Sequence, residues 1–467
     1  MRFIFLIISF FIFTLNSSFA LDVVYPSSKE FTVNAASIYF YGNTNPKSML
    51  RINSESVKLF DDGVFVQVVP LFYGANDITV ESVHNGKVER QVFKITRNKP
   101  IAEKTLPLSY VPRNKNYFLY TKTINARSTV REKPSKSSKR VIELPKGVVL
   151  YLAGQKGDFY KIEENGKTEF WIHKSNIEEP VIVSKRFQAK IKQPENESDK
   201  FYNYTKIALS YPVMYTVEQE GKKLILTLYG VKDSNNNTNN SGNLEFVFED
   251  DNQVLGYDGL YEEDKFILRR AKVADKINPY APLHKVRIYI DAGHGGSEKG
   301  AIGPTRVPEK DINLAISKKL IHLLKYKGAI VSYSRMDDSK VNLYDRVDKA
   351  KENNAFISLS IHNNSLPPNK NPFITHGCEV YYYNDNAKVL AYIIKNNLSK
   401  DLKIKDNGLY KSSYALNRST NPISVLVEVA YMVNPDEYKK LRSNKFQTEV
   451  AKSIAKSLEQ FMILLKK

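Results

Sequence analysis

The sequence predicts a C-terminal α/β domain, with a mainly parallel sheet flanked by helices, preceded by three small all-β modules. Three observations predict it. From Val286 onward, apolar strand-like runs alternate with stretches of helical periodicity, the pattern of a parallel sheet with crossover helices. Upstream, the apolar runs are short, alternate with polar residues and are broken by turn residues. The 467 residues are 42% hydrophobic and 12% aromatic, enough for several packed cores, and the length corresponds to about three domains.

Residues 1–20 read as a secretory signal peptide. Arg2 precedes an apolar run, and Ser18 and Ala20 stand at the −3 and −1 positions of a cut before Leu21. An N-terminal membrane anchor is the alternative, but the run is short for a span of ~20 residues. No Cys follows it, which excludes a lipoprotein anchor, and no other segment is apolar enough to span a bilayer. The expected location is therefore outside the cytoplasm, in the periplasm or in the cell wall and extracellular space.

Residues 21–98 alternate as short strands, among them Ser37–Gly42, Met49–Asn53, Gly63–Val68 and Asn76–Val80. They resemble the small immunoglobulin-like modules of bacterial surface proteins and carry no catalytic constellation. Residues 99–118 are rich in Pro and Lys and read as a linker. Residues 119–180 contain Ile124-Asn-Ala-Arg127-Ser128, Lys146-Gly147, Gly157-Asp-Phe-Tyr160-Lys161 and Trp171-Ile-His. This pattern resembles a bacterial SH3-like barrel, which implies binding to wall peptides. Tyr160 and Trp171 then either line a groove or form the barrel core. Residues 185–282 are a further β-rich module, interrupted by the polar low-complexity loop Asp233–Gly242.

The α/β domain covers residues 284–467. Its strands are expected at Val286–Asp291, Ala329–Ser334, Phe356–His362, Glu379–Tyr383 and Ser424–Val429. Helices are expected at Asp311–Lys327, Asn342–Asn353, Asn386–Leu398 and Lys445–Leu465, with Ile312, Ile316, Leu320 and Leu323 forming the apolar stripe of the first.

Ligands of open α/β sheets bind beyond the carboxyl ends of the strands. His294 follows the first strand through the turn Ala292-Gly293, His362 closes the third, and Glu428 lies near the end of the last. Glu309 immediately precedes the first helix. The only cysteine is Cys378, so an internal disulfide is impossible and a metal must be held by His and carboxylate. Two His and a carboxylate make a catalytic zinc shell with a fourth position for water, and a second carboxylate off the metal would move the proton. Each residue also has a purely structural explanation. His294 fills a Gly-rich turn, His362 ends a strand, and Glu309 favours a helix N-terminus. Glu428 is hardest to explain that way, because burying an unpaired carboxylate in Val425-Leu-Val-Glu-Val is costly.

These runs resemble the zinc-dependent N-acetylmuramoyl-L-alanine amidases. The resemblance rests on Ile288–Ala301, Glu309–Ala315, Ser334-Arg335, Leu343–Arg346, Ser360–Asn364, Gly377–Tyr381 and Val425–Asn434, in that order, and covers the whole C-terminal domain. It implies His294, Glu309 and His362 as ligands of a Zn2+ cofactor and Glu428 as catalytic acid/base. Arg335, Arg346 and Asn364 are implied as structural or substrate-side supports. The implied reaction is hydrolysis of the amide between N-acetylmuramic acid and the L-alanine of the stem peptide, in wall remodelling or cell separation, so the expected partner is peptidoglycan. Glu298 and Ala430 depart from the family's usual Asp and Gly.

Some relatives carry a helix that plugs the site between the second His and the catalytic Glu. Here Gly377 lies only 15 positions after His362, with prolines at 367, 368 and 372. This predicts a domain active without an activator protein. His376 and His322 are expected on the surface. The formal net charge of +19 favours an anionic partner, which for an exported protein means wall polymer or a lipid surface rather than nucleic acid. A non-catalytic wall-binding scaffold and a zinc peptidase cutting within the stem peptide are the competing functions.

Overall fold

The structure is a computed structural model that describes residues 20–99, 118–163, 169–232, 242–249, 255–263, 265–272 and 277–465. Apart from their edge residues, the expected signal peptide and linker lie outside the described residues, as does most of the low-complexity loop. Among the described residues no helix is long and apolar enough to cross a membrane.

Alternating apolar residues make residues 22–97 a sandwich of a three-stranded and a five-stranded sheet. Ile38, Phe40, Leu50, Phe65, Val80, Phe93 and Ile95 fill the space between them. Residues 118–183 form one seven-stranded antiparallel sheet. Trp171 is buried, whereas Tyr160 packs half-buried against the core. This core continues into the next β region, where Ile207, Leu226, Phe266 and Leu268 join Val130, Leu150 and Ile172.

The C-terminal domain has six strands: β1 (Arg287–Ala292), β2 (Ile330–Tyr333), β3 (Ile357–Asn364), β4 (Cys378–Tyr382), β5 (Asp406–Lys411) and β6 (Ile423–Tyr431). Their spatial order is β2-β1-β3-β6-β4-β5. Pairing is parallel throughout except between β6 and β4. The helices are α1 (Glu309–Tyr326), α2 (Leu343–Glu352), α3 (Asp385–Leu402), α4 (Pro435–Leu441) and α5 (Asn444–Leu464). Strand β5 and helix α4 were not expected. Ile312, Ile316 and Leu320 of α1 are buried as expected, but Ile321 and Leu324 complete the stripe where Leu323 was assigned, and Leu323 is only partly buried. Helices α1, α3 and α5 share one large core with the sheet.

The β regions dock on this domain. Val24, Tyr39, Tyr41 and Val66 share an apolar cluster with Leu366, Tyr431 and Val433. On another face, Arg418 pairs with Glu143 of the second region, and the Tyr383 hydroxyl donates to the Arg140 carbonyl.

Candidate active site

The site forms where β1, β3 and β6 end. Strand β1 leaves the sheet through Gly293, and His294 then takes a left-handed conformation with φ 60°. Ordinary residues avoid this region, and the turn is held by two buried arginines. The Arg335 guanidinium donates to the carbonyls of Ala292 (3.0 Å) and Gly293 (2.9 Å). Arg346 donates to the carbonyls of Ala292 (2.8 Å) and His294 (2.7 Å) and pairs with Asp291 at 2.6 Å. The guanidinium contacts of both arginines are to backbone carbonyls and, for Arg346, to Asp291.

Glu309 is the first residue of α1 rather than the residue before it, and only 4% of it is exposed. Its Oε2 lies 3.1 Å from His294 Nε2, and its Oε1 lies 3.0 Å from His362 Nδ1. The Ala301 and Asn363 backbone N–H groups and the Asn313 side chain also donate to it. Burial alone would push its pKa up, but the hydrogen bonds and charges of the two imidazoles outweigh burial and hold it far below the usual carboxylate range.

The ligand atoms of His294, Glu309 and His362 lie within 4.8 Å of one another, close enough for one ion to reach all three. His362 Nε2 is buried without a hydrogen-bond partner. A Cβ on Gly293 would fall 2.3–2.7 Å from the His362 ring, so only glycine leaves room for that ring. An imidazole–carboxylate–imidazole donor set and an orphaned buried ring nitrogen fit a zinc ion.

Glu428 stands directly opposite His362 in the β3–β6 register, so both side chains project from the same face. Its Oε2 is buried and unpartnered. Burial, reinforced by the negative charges of Glu309 and Glu379, pushes its pKa well above the usual carboxylate value. It therefore lies beside the three-residue cluster and outside it.

Three residues with clear roles in this arrangement were not singled out by sequence. Asn313, one helical turn after Glu309, donates both to Glu309 Oε1 (3.0 Å) and to the Gly293 carbonyl (3.2 Å). Asn363 donates to Asn313 at 2.7 Å. Glu379, opposite Glu428 on β4, is buried and accepts from Tyr381, Asn364 (2.8 Å), Asn407 (2.5 Å) and Tyr431 (2.6 Å). Asn364 thus donates to Glu379. His376 is partly exposed, bonds Glu437 at 2.9 Å and lies outside the His294–Glu309–His362 cluster; His322 is exposed. Ser365–Gly377 contains turns and no helix, so no plug occupies this stretch.

A family profile described as N-acetylmuramoyl-L-alanine amidase matches residues 288–460, and one described as bacterial SH3 domain matches residues 126–178. The uncharacterized protein YqiI of Bacillus subtilis is 35% identical over 184 residues, 38% of this chain and 86% of that protein. The chain belongs to the N-acetylmuramoyl-L-alanine amidase family. The probable cell wall amidase LytH of Staphylococcus saprophyticus is 36% identical to this amidase over 191 residues, 40% of this chain and 62% of that protein. The match therefore spans less than two thirds of LytH. Among solved structures, the amidase AmiC2 of Nostoc punctiforme is 33% identical, covering 38% of this chain and 97% of that one with a TM-score of 0.36. Residues of the matched region include all four members of the site, and the protein is a peptidoglycan hydrolase of the amidase class.

Proposed function

We propose that the protein is exported to the periplasm or wall and there hydrolyses the amide joining N-acetylmuramic acid to L-alanine of the stem peptide. The observation that carries this reading is the unpartnered Glu428 carboxyl, in register with His362 beside the His294–Glu309–His362 cluster. Those three residues would hold zinc. When bound, the ion supplies a water of pKa roughly 7 and polarises the scissile carbonyl.

The chain's own groups do the rest. Glu428, opposite His362 with an unpartnered carboxyl oxygen, takes the proton from the attacking water and passes it to the departing amide nitrogen. Glu309, kept ionised by its imidazole and amide donors, lowers the net charge of the site and fixes both rings. The arginine-braced turn sets the backbone at His294. The SH3-like region would hold the enzyme on wall peptide, and the positive net charge of +19 favours anionic wall polymer.

Digestion of purified peptidoglycan with mass analysis of the products tests the reading. Free stem peptides beginning with L-Ala, together with unpeptided glycan, are expected. Ends cut inside the stem would point to a peptidase, and no products to a scaffold. Glu428→Ala and removal of zinc by chelation should each abolish release; activity that survives either refutes the mechanism.

A further inference from the structure

Beyond Glu428, on the side away from His362, the sheet carries a feature that bond cleavage does not use. His362, Glu428, Glu379 and Gly408 form one row across β3, β6, β4 and β5. The next row on the same face brings together Tyr381 and Tyr410, whose rings stack at 5.3 Å with an interplanar angle of 28°. Tyr414, just past β5, meets Tyr381 edge-on at 5.3 Å. Tyr410 and Tyr414 are 40% and 47% exposed.

The shelf is fixed in place. The Tyr410 ring folds back over Gly408, where a Cβ would meet it at 2.6 Å, and its hydroxyl donates to the Asn407 carbonyl at 2.5 Å. The Tyr381 hydroxyl is tied to Glu379. Partly exposed aromatic rings, two of them anchored at their hydroxyls, beside the row that carries Glu428 make a surface on which ligands with one apolar face stack.

We propose that Tyr381, Tyr410 and Tyr414 form the subsite for a hexosamine ring of the glycan strand, adjoining the sugar whose lactyl amide is cut. This rests on the amidase reading above. Two parts of the substrate could lie here, and charge separates them. The stem peptide carries free carboxylates, whereas the border of the shelf is Glu379, whose hydrogen-bond donors are all neutral. A pyranose ring brings an apolar face and no charge, so it is the part of the substrate that this shelf accepts.

The test uses the full chain and the double variant Tyr410→Ala/Tyr414→Ala, with Tyr410→Phe as the conservative control. Two soluble substrates are compared: a GlcNAc–MurNAc peptide, and the same peptide on a lactyl group with no sugar. The double variant should lose about tenfold in kcat/KM on the disaccharide substrate, mainly through KM. It should match the wild type on the sugar-free one, and Tyr410→Phe should match it on both. An equal loss on both substrates, a larger loss on the sugar-free one, or no loss would overturn the subsite. A second arm measures binding of peptide-free GlcNAc–MurNAc chains to Glu428→Gln, with and without the double substitution; about tenfold weaker binding is expected, and unchanged binding overturns the proposal. If the wild type cuts neither substrate, the amidase reading fails, and the binding arm still decides the shelf.

Discussion

At the residue scale the site depends on close approaches that leave no slack. Gly293 is the sharpest case. Its φ is not in the left-handed region, so alanine suits the backbone, and the atoms nearest the added Cβ are those of the His362 ring, at 2.3–2.7 Å. Gly293→Ala should therefore rotate that ring while leaving the fold intact. Zinc affinity, read by chelator competition, should drop roughly tenfold or more, and activity should fall with it. Wild-type affinity in this variant would show that His362 does not bind where its ring stands. Asn313→Ala should act more mildly on the same readout, because it removes one donor to Glu309 and one to the Gly293 carbonyl.

The four principal residues were legible because their chemistry is unusual for their surroundings. Glu428 is a carboxylate in an apolar strand, and the two histidines end strands. Glu379 presented the same signal, a carboxylate within Cys378-Glu-Val-Tyr, but nothing in the sequence shows that neutral donors from three separate segments converge on it. Asn313 was hidden for a different reason: a polar residue on a helix reads as solvent-facing, and its burial follows only once α1 meets the sheet.

At the element scale, β1 and α2 are locked by the pair Asp291–Arg346, whose side chains are 2% and 4% exposed. Removing one partner of such a pair leaves an uncompensated buried charge, so Arg346→Ala should cost about 3–5 kcal/mol in urea unfolding. The pH dependence has a definite sign. Burial would raise the Asp291 pKa, but Arg346 and the Ser360 hydroxyl outweigh it and hold it below the ordinary value. Its stabilising contribution is thus complete above the unfolded pKa of about 3.9 and is lost as pH falls through the lower folded value. The gap between wild type and Arg346→Ala should be widest near neutrality and narrow toward pH 3. A gap independent of pH would mean that the pair does not carry this stability.

On β4, burial pushes the Cys378 thiol up to about 12, so the thiolate that reacts is scarce. The thiol should resist a disulfide reagent at pH 8 in the native protein and react at once in denaturant, reporting the opening of this domain. Reaction in the native state at the rate of a free thiol would contradict its burial. The long helices and central strands were readable to within a few residues because apolar periodicity is strong over that length. Strand β5 was not, since Asp-Asn-Gly-Leu-Tyr-Lys has the composition of a turn and lies at the sheet edge. Helix α4 is too short for periodicity, although Asn434 capping Glu437, followed by Pro435, is a start signal that the sequence does contain.

At the scale of the whole molecule, the first β region braces segments that neighbour the site. Its Tyr41 hydroxyl donates to the Ile302 carbonyl at 2.7 Å and its Asn43 amide to the Pro304 carbonyl at 2.7 Å. Asp22 holds Arg306 through two hydrogen bonds. These contacts clamp the loop whose Ala301 N–H donates to Glu309, while the cluster around Tyr39 packs on Tyr431, which donates to Glu379. The sequence could not reveal this, because the docked residues are separated by more than 260 positions and appear on each side as ordinary strand and loop residues. With no plug helix in Ser365–Gly377, the full chain should hydrolyse soluble muropeptide without a partner protein. Tyr41→Ala/Asn43→Ala should reveal the brace. The two lost hydrogen bonds contribute about 1 kcal/mol each, and the loop they hold carries a donor to Glu309. Activity on a soluble substrate should therefore fall several-fold, and limited proteolysis should find a new cut near residues 302–306. Circular dichroism should stay unchanged, since each sheet keeps its own core. A variant that matches the wild type in both rate and protease resistance would reduce the docking to mere adjacency, and a wild-type chain inert until a second protein is added would refute its independence from an activator.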